Sequence, residues 1–126
     1  MTIKTLMIIN AILAIGYGVA LLIFTGQFQL LYGLSPDEPL KYNGQLFGGA
    51  LIGFALLTWR ARNAADSDAR KAIVFALFFT NVIGFIVTLL GQLNNVLNQL
   101  GWSAVLVYLF LTLGWGYFQF SKPSSS

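Results

Sequence analysis

Residues 72–90 read AIVFALFFTNVIGFIVTLL, a stretch of nineteen residues without a charged side chain. A helix needs about 20 predominantly apolar residues to cross the hydrocarbon core of a bilayer. Three further segments of similar length and character lie at residues 5–25, 42–59 and 102–120. All acidic and basic residues lie between or beyond these four segments. The sequence therefore predicts four antiparallel transmembrane helices in a single membrane domain over residues 1–126.

The composition agrees with a membrane protein and excludes several kinds of chemistry. The 126 residues are 57% hydrophobic and 9% charged, whereas soluble domains are about a quarter charged. The chain has no Cys and no His, which excludes disulfides, thiol chemistry and imidazole-bound metals or haem. Runs such as IVFALFF at 73–79 do not alternate as the strands of a membrane barrel would. We expect an all-α, polytopic membrane protein with no metal and no cofactor.

The basic residues predict an orientation. One side of the membrane would carry Lys4, Arg60, Arg62, Arg70, Lys71 and Lys122, and the other side Lys41 alone. Because cytoplasmic loops are enriched in Lys and Arg, both termini are expected inside, in a bacterial inner membrane. The first apolar segment is longer than the usual signal-peptide core of about 7–15 residues, so we expect it to stay as a helix. Such flanking charges do not require a nucleic-acid partner.

Two connections carry helical patterns on the predicted outer side. Ser35 followed by Pro36 and two acidic residues is typical of a helix start, but a second proline three residues later, Pro39, limits the prediction to a short turn at most. In residues 92–100, apolar side chains fall at helical spacing among five amides. We predict a short interfacial helix there, with a two-turn extension of the third transmembrane helix as the alternative. This amide-rich surface could also contact a partner protein.

The predicted cytoplasmic loop contains Asp66-Ser67-Asp68 directly before the third span. A serine N-cap with acidic residues in the first turn stabilises a helix N-terminus, and this is the interpretation that we favour. The alternative is a divalent metal site, because two carboxylates at this spacing can share a cation. No further carboxylate is close in sequence, so the alternative has little support.

Small residues predict how the helices pack. In a bilayer, helices associate through close van der Waals fit, which small side chains permit. The second and third spans carry such residues at helical spacing: Gly44, Gly48, Gly49, Gly53, Ala72, Ala76, Thr80, Gly84 and Thr88. Short loops favour packing between sequential neighbours. One compact bundle does not need so many small faces, so we also expect contacts with copies of the chain or with another membrane protein.

The predicted spans contain neutral polar residues but no ionisable Asp, Glu, Lys or Arg. Proton-coupled exporters need an intramembrane charge, so the small four-helix multidrug exporters are excluded despite their similar length. Asn10, Tyr17, Asn81 and Tyr108 form a candidate polar network. They could bond helices together or hold a neutral amphiphile such as a lipid, quinone or pigment.

The second and third spans with their loop resemble small bacterial four-helix membrane proteins of unknown function. The likeness lies in YNGQLFGGALIGFALLTW at 42–59, RNAADSDARKAI at 62–73 and NVIGFIVTLLGQLN at 81–94. It is a general pattern that covers most of the chain and implies no activity and no site residue.

These observations favour a non-catalytic protein, because no nucleophile–base pair, metal set or phosphate loop can be assembled at membrane depth. The leading hypothesis is a homo-oligomer or an accessory subunit of a larger membrane complex, for instance an energy-converting one. The alternative is a binder or carrier of a hydrophobic small molecule. A passive pore ranks last, since no polar stripe follows the spans.

Overall fold

The computed structural model describes residues 2–121 and is all-α, with no strand in that range. Lys122, counted above among the basic residues, lies outside it. The five helices are listed here in chain order: α1 (Ile3–Ile23), α2 (Thr25–Leu31), α3 (Glu38–Ala61), α4 (Asp68–Leu93) and α5 (Gly101–Phe120).

Three of the helices, α1, α4 and α5, are long and apolar enough to cross a membrane. Large apolar side chains project outward from them, including Ile83 at 62% and Leu113 at 65% exposure. Soluble monomers rarely expose wide apolar surfaces, so this exterior is that of a membrane protein. At 24 residues α3 is long enough, but Asn43, Gln45 and its glycines lower its hydropathy below that of the other three. Its crossing of the membrane therefore stays a prediction.

The helix starts follow local capping chemistry. Ser67 caps α4 as predicted, and its hydroxyl accepts a hydrogen bond from the Arg70 backbone N–H at 3.2 Å. Asp66 forms an ion pair with the Arg70 guanidinium at 3.5 Å. The predicted short turn that starts at Ser35 is wrong, because the Asp37 carboxylate accepts from Leu40 N–H and the long helix α3 begins at Glu38, with Pro39 in its first turn.

The connection from α4 to α5 is a turn, so the predicted interfacial helix is wrong for this segment. Its amides bond backbone groups and thereby compete with helix formation. Asn94 Nδ2 donates to Leu90 O at 2.9 Å, and Gln92 Nε2 donates to Asn98 O at 2.9 Å. Asn95 takes a left-handed backbone conformation (φ 57°), which ends α4. The alternative extension reaches only Leu93.

The long helices form two antiparallel pairs, α1 with α3 and α4 with α5. A thinner contact between α1 and α5 joins the pairs, whereas α3 and α4 do not pack along each other. The expectation that all sequential neighbours pack is therefore wrong for α3 and α4. α4 packs against α5 instead, and a glycine on each of these two helices permits the close fit. A Cβ on Gly84 would overlap the Tyr108 ring, and one on Gly116 would lie 2.9 Å from the Phe78 ring.

Two regions hold the pairs together. At the end where α1 begins and α5 ends, a buried apolar cluster draws on four helices: Leu6, Met7, Ala61, Val74, Leu77, Leu111 and Trp115. At the opposite end, Asn98 joins the α4–α5 turn to the end of α2. Its backbone N–H donates to Tyr32 O and its Nδ2 donates to Leu31 O, both at 3.0 Å. The space between these two regions is left unfilled.

Candidate functional site

A cavity of about 650 Å³ lies between the two helix pairs. Residues of all five helices line it, so the helix arrangement as a whole creates it. The apolar cluster with Trp115 closes one end, and α2 with the α4–α5 turn lies over the other. Small-molecule pockets in proteins usually measure about 300–1,000 Å³, which places this cavity in the range of a drug-sized or single-chain lipid ligand.

The four residues singled out as a possible polar network all line this cavity: Asn10, Tyr17, Asn81 and Tyr108. They come from α1, α4 and α5, which shows that the helix pairs bring them to one space. The remaining lining is mainly aliphatic and aromatic, and it includes no charged side chain among the residues that the structure describes. An apolar enclosure with a few neutral polar groups is the usual chemistry of a pocket for a neutral organic molecule.

Asn10 and Asn81 sit deep in the structure, at 4% and 5% exposure. Asn10 Oδ1 accepts a hydrogen bond from Trp115 Nε1 at 3.3 Å, which links α1 to α5. Asn81 Nδ2 donates to Leu77 O at 2.7 Å, one turn earlier in α4. Each amide thus has one group bound to the protein, and this fixes its orientation beside the cavity.

Aromatic rings from α1 and α2 form the wall near the other end. The ring of Tyr17 meets Phe28 edge-on at 6.0 Å between centroids, and Phe28 stacks on Tyr32 at 5.0 Å. The Tyr32 hydroxyl lies 3.3 Å from Ser103 Oγ, which ties this aromatic wall to the start of α5. The short helix α2 therefore supplies part of the cavity wall.

Gln29 is a site residue that sequence reasoning missed. It lines the cavity at 5% exposure, and its Nε2 donates to Leu40 O at 3.0 Å. Its Oε1 is buried and has no hydrogen-bond partner within residues 2–121. An unsatisfied buried acceptor costs about 1–3 kcal/mol, so such atoms in proteins call for an explanation. The available signal was its spacing from Thr25, which places both polar residues on one buried face of α2.

Gly44 provides the space that Gln29 occupies. A Cβ at position 44 would lie 2.6 Å from Gln29 Nε2 and 3.1 Å from the Thr25 methyl carbon. The amide of Gln29 thus lies against α3 at two points. It bonds to the carbonyl of Leu40 in the first turn of the helix and packs against the backbone at Gly44. Its acceptor oxygen cannot exchange places with the donor without losing the bond to Leu40.

The cavity opens sideways between α3 and α4. Phe47 of α3 and Ile83 and Val87 of α4 line it, yet they are 48%, 62% and 62% exposed. Side chains that both line a cavity and reach the exterior mark its mouth. Since α3 and α4 do not pack along each other, this mouth faces the same surroundings as the apolar exterior.

Some of the predicted packing residues contact other residues of the chain, and others face open space or the exterior. Gly48 contacts Gly18 of α1, Gly44 contacts Gln29, and Gly84 contacts Tyr108, so these three serve contacts within the chain. A Cβ on Gly49 or Gly53 would meet nothing within 4 Å. Three members of the α4 stripe, Ala72, Ala76 and Thr80, are exposed. Thr80 and Thr88 also line the cavity, and the Thr88 hydroxyl donates to Gly84 O at 2.8 Å.

Comparison with known proteins adds no family to this description. No protein-family model matches the chain, and neither a characterised protein nor a solved structure matches it.

Proposed function

We propose that the protein binds a neutral, hydrophobic small molecule in the cavity between its helix pairs and exchanges it with the surrounding lipid. The single observation that carries this proposal is the shared cavity of Asn10, Tyr17, Asn81 and Tyr108. The apolar lining would hold the body of the molecule. The amides and phenols would orient its polar part, as in other small-molecule pockets.

The sideways mouth supports exchange with lipid. A ligand that enters between α3 and α4 stays in contact with apolar side chains such as Phe47 and Val87 throughout. It does not have to cross water, where exposure of each buried CH₂ would cost about 0.8 kcal/mol. A lipid, quinone or pigment fits this chemistry, and a charged solute does not.

The same proposal includes a membrane topology. We place α3 across the bilayer as a fourth span and both termini on the cytoplasmic side of a bacterial inner membrane. The chain would then act as a non-catalytic binder, because its lining offers amides, hydroxyls and apolar groups that hold a molecule without a nucleophile–base pair.

The test is to identify what the purified protein carries. Protein extracted in mild detergent would be treated with organic solvent, and the extract would be measured by mass spectrometry. Ala104→Phe fills the cavity from α5, whereas Ala50→Phe adds the same ring to an exposed position outside the cavity. We expect one compound at near one per chain in wild type and Ala50→Phe, and strong depletion in Ala104→Phe. Bulk lipid in equal amounts from all three proteins would contradict the proposal.

A second candidate function rests on the exterior small residues. Gly49 and Gly53 form a bare ridge on α3, and Ala72 with Ala76 forms a small-residue surface on α4. Small residues let helices approach closely in a bilayer, so these faces suit a second copy or another subunit. In this role the chain would be a homo-oligomer or an accessory subunit, for instance of an energy-converting complex. Native mass spectrometry distinguishes the two roles by the mass of the extracted particle.

A further inference from the structure

Two asparagine atoms at the cavity indicate the chemical class of the ligand, an inference that rests on the proposed function. Asn10 Nδ2 and Asn81 Oδ1 have no hydrogen-bond partner within residues 2–121, since each amide bonds through its other atom. The unpaired polar atoms that are fully enclosed in that range are Gln29 Oε1 and Thr112 Oγ1. The two asparagine atoms are not among them, so each keeps a surface that a water-sized molecule can reach. Because both residues line the cavity and are only 4% and 5% exposed, this surface lies in the cavity.

The bond that each amide already makes identifies its free atom. The Trp115 indole N–H can only donate, so the Asn10 atom bound to it is the oxygen, and the free atom is the nitrogen. The Leu77 carbonyl can only accept, so the Asn81 atom bound to it is the nitrogen, and the free atom is the oxygen. The cavity therefore contains a free donor from α1 and a free acceptor from α4.

The donor and the acceptor lie at a similar depth in the cavity. Asn10 follows Leu6 by one turn in α1, and Asn81 follows Leu77 by one turn in α4. Leu6 and Leu77 belong to the buried apolar cluster that closes this end of the cavity. At about 1.5 Å per residue, each asparagine lies about 6 Å beyond the cluster. Since α1 and α4 belong to different helix pairs, the two amides approach the closed end of the cavity from different sides.

A ligand group that satisfies both amides has to accept from Asn10 and donate to Asn81. The simplest uncharged group that does both is a hydroxyl, whereas an ether, an ester or a quinone carbonyl only accepts and leaves the Asn81 oxygen unpaired. An ammonium group would be buried without a counter-charge, because no charged side chain of residues 2–121 lines the cavity. The two amides therefore favour a neutral hydroxyl compound over a quinone or an ester.

We infer that the ligand is a neutral lipid alcohol or phenol whose hydroxyl lies between Asn10 Nδ2 and Asn81 Oδ1 at the closed end of the cavity. Its apolar part extends toward the mouth, past Ile83 and Val87, which follow Asn81 along α4 and line the opening. An aliphatic alcohol and a phenol, including the reduced form of a quinone, share this chemistry. The experiment below separates these two sources.

The test offers delipidated protein in detergent two pairs of probes, each a hydroxyl compound and its methyl ether. Hexadecanol competes with hexadecyl methyl ether, and 4-dodecylphenol competes with 4-dodecylanisole, at equal concentrations. Native mass spectrometry gives the ratio of the two adducts in each pair. Because the ether leaves the buried Asn81 oxygen unpaired, we expect the hydroxyl compound to exceed its ether about tenfold in at least one pair. The pair with the stronger preference shows whether the hydroxyl is aliphatic or aromatic.

Two variants assign the preference to the asparagines. Asn81→Leu removes the acceptor at a similar side-chain size, so the ratio of hydroxyl compound to ether should fall to about one. Asn10→Leu removes the donor that both compounds use, so both adducts should decrease while the preference stays. Asn94→Leu makes the same exchange at an exposed position outside the cavity and should keep the wild-type ratio. The wild-type ratio alone tests the inference if a cavity variant does not fold.

The contrary results have separate meanings. If hydroxyl compound and ether bind wild type equally and Ala104→Phe abolishes both adducts, the cavity binds lipids but the hydroxyl inference is wrong. A preference that persists in Asn81→Leu also overturns it, because ligand size or another residue then selects the hydroxyl compound. If no probe forms an adduct that Ala104→Phe removes, the proposed function itself fails, and this inference fails with it.

Discussion

Gly18 and Gly48 bring the backbones of α1 and α3 into direct contact. A Cβ on Gly18 would lie 2.9 Å from Gly48 O, and one on Gly48 would lie 2.8 Å from Gly18 O. Both distances are shorter than real Cβ contacts, so the crossing tolerates only glycine on either helix. This contact sets how closely α1 and α3 approach along one side of the cavity.

The first prediction concerns this crossing. Gly48→Ala should destabilise the protein by about 1–3 kcal/mol, the usual cost of overpacking, because backbone atoms would have to move apart. Gly49→Ala makes the same change at the adjacent position, where an added Cβ meets nothing within 4 Å, and should be close to neutral. Unfolding in detergent, followed by circular dichroism, compares the two. Alanine has the higher helix propensity, so helix propensity cannot explain a loss in either variant. Equal loss in both variants would show that the crossing does not determine the effect.

A second prediction tests the buried bond between α1 and α5. Trp115→Phe removes the indole N–H that donates to Asn10 Oδ1 at 3.3 Å. Interhelical hydrogen bonds in membranes contribute about 0.6 kcal/mol on average, and we expect a coupling of that order. A double-mutant cycle with Asn10→Leu separates this coupling from the loss of packing. Strictly additive effects of the two substitutions would exclude the bond as a stabilising contact.

A third prediction concerns the junction over the α2 end. Asn98→Ala removes the bonds of the side chain to Leu31 O and Leu100 N–H, both at 3.0 Å. Hydrogen exchange should then become faster in residues 25–34, because the Asn98 side chain is one of the groups that tie the end of α2 to the α4–α5 turn. Asn94→Ala is the matched control, since the Asn94 side chain donates to Leu90 O within its own helix end. Unchanged exchange in α2 would mean that Asn98 does not hold it.

A fourth prediction tests the proposed crossing of α3. The chain has no cysteine, so single cysteines report position without background. Ser35→Cys and Asn95→Cys should react with an impermeant thiol reagent added outside intact spheroplasts. Ala65→Cys should react only after lysis, because the proposed topology places the residues after α3 on the cytoplasmic side. Labelling of Ser35 and Ala65 from the same side would show that α3 does not span the membrane.

A fifth prediction addresses the exterior ridge of α3. Gly53→Leu should leave the fold intact, since the position is open, and should lower the mass of any particle that depends on this face. Leu57→Ile, one turn further along α3 at a residue 42% exposed, serves as a mild control. Native mass spectrometry gives the answer. If the particle mass is the same in both variants, the ridge carries no subunit contact.

Hydropathy and capping were enough to predict the helices that dominate this fold. The all-α class, the apolar character of α1, α4 and α5 and the cap at Ser67 follow from local residue chemistry, which needs no tertiary contact. The cap of α3 could not be assigned in this way, because Ser35 and Asp37 are both good caps and only geometry selects Asp37. The glutamine- and asparagine-rich connection has helical spacing, but its amides bond backbone carbonyls instead.

Only some features of the cavity could be predicted from the sequence. The depths of Asn10 and Asn81 along their helices could be counted at about 1.5 Å per residue, and this suggested a polar network. The sequence does not predict that α3 and α4 stay apart while α4 packs against α5. The contact of Tyr108 with Gly84 depends on how α4 and α5 are each rotated about their own axes, and hydropathy does not fix these rotations. Gln29 was missed for a similar reason, because its burial depends on how α2 packs against the first turns of α3.

The proposed function requires a specific molecule in the cavity in the native membrane. A photo-crosslinking amino acid placed at position 107 would face the cavity, whereas at position 106 it would face the exterior, since Val107 lines the cavity and Leu106 is 62% exposed. Both variants would be illuminated in cells and their intact masses measured. We expect one dominant adduct at 107 and a mixture of bulk phospholipids at 106. The same mixture at both positions would contradict the proposed function.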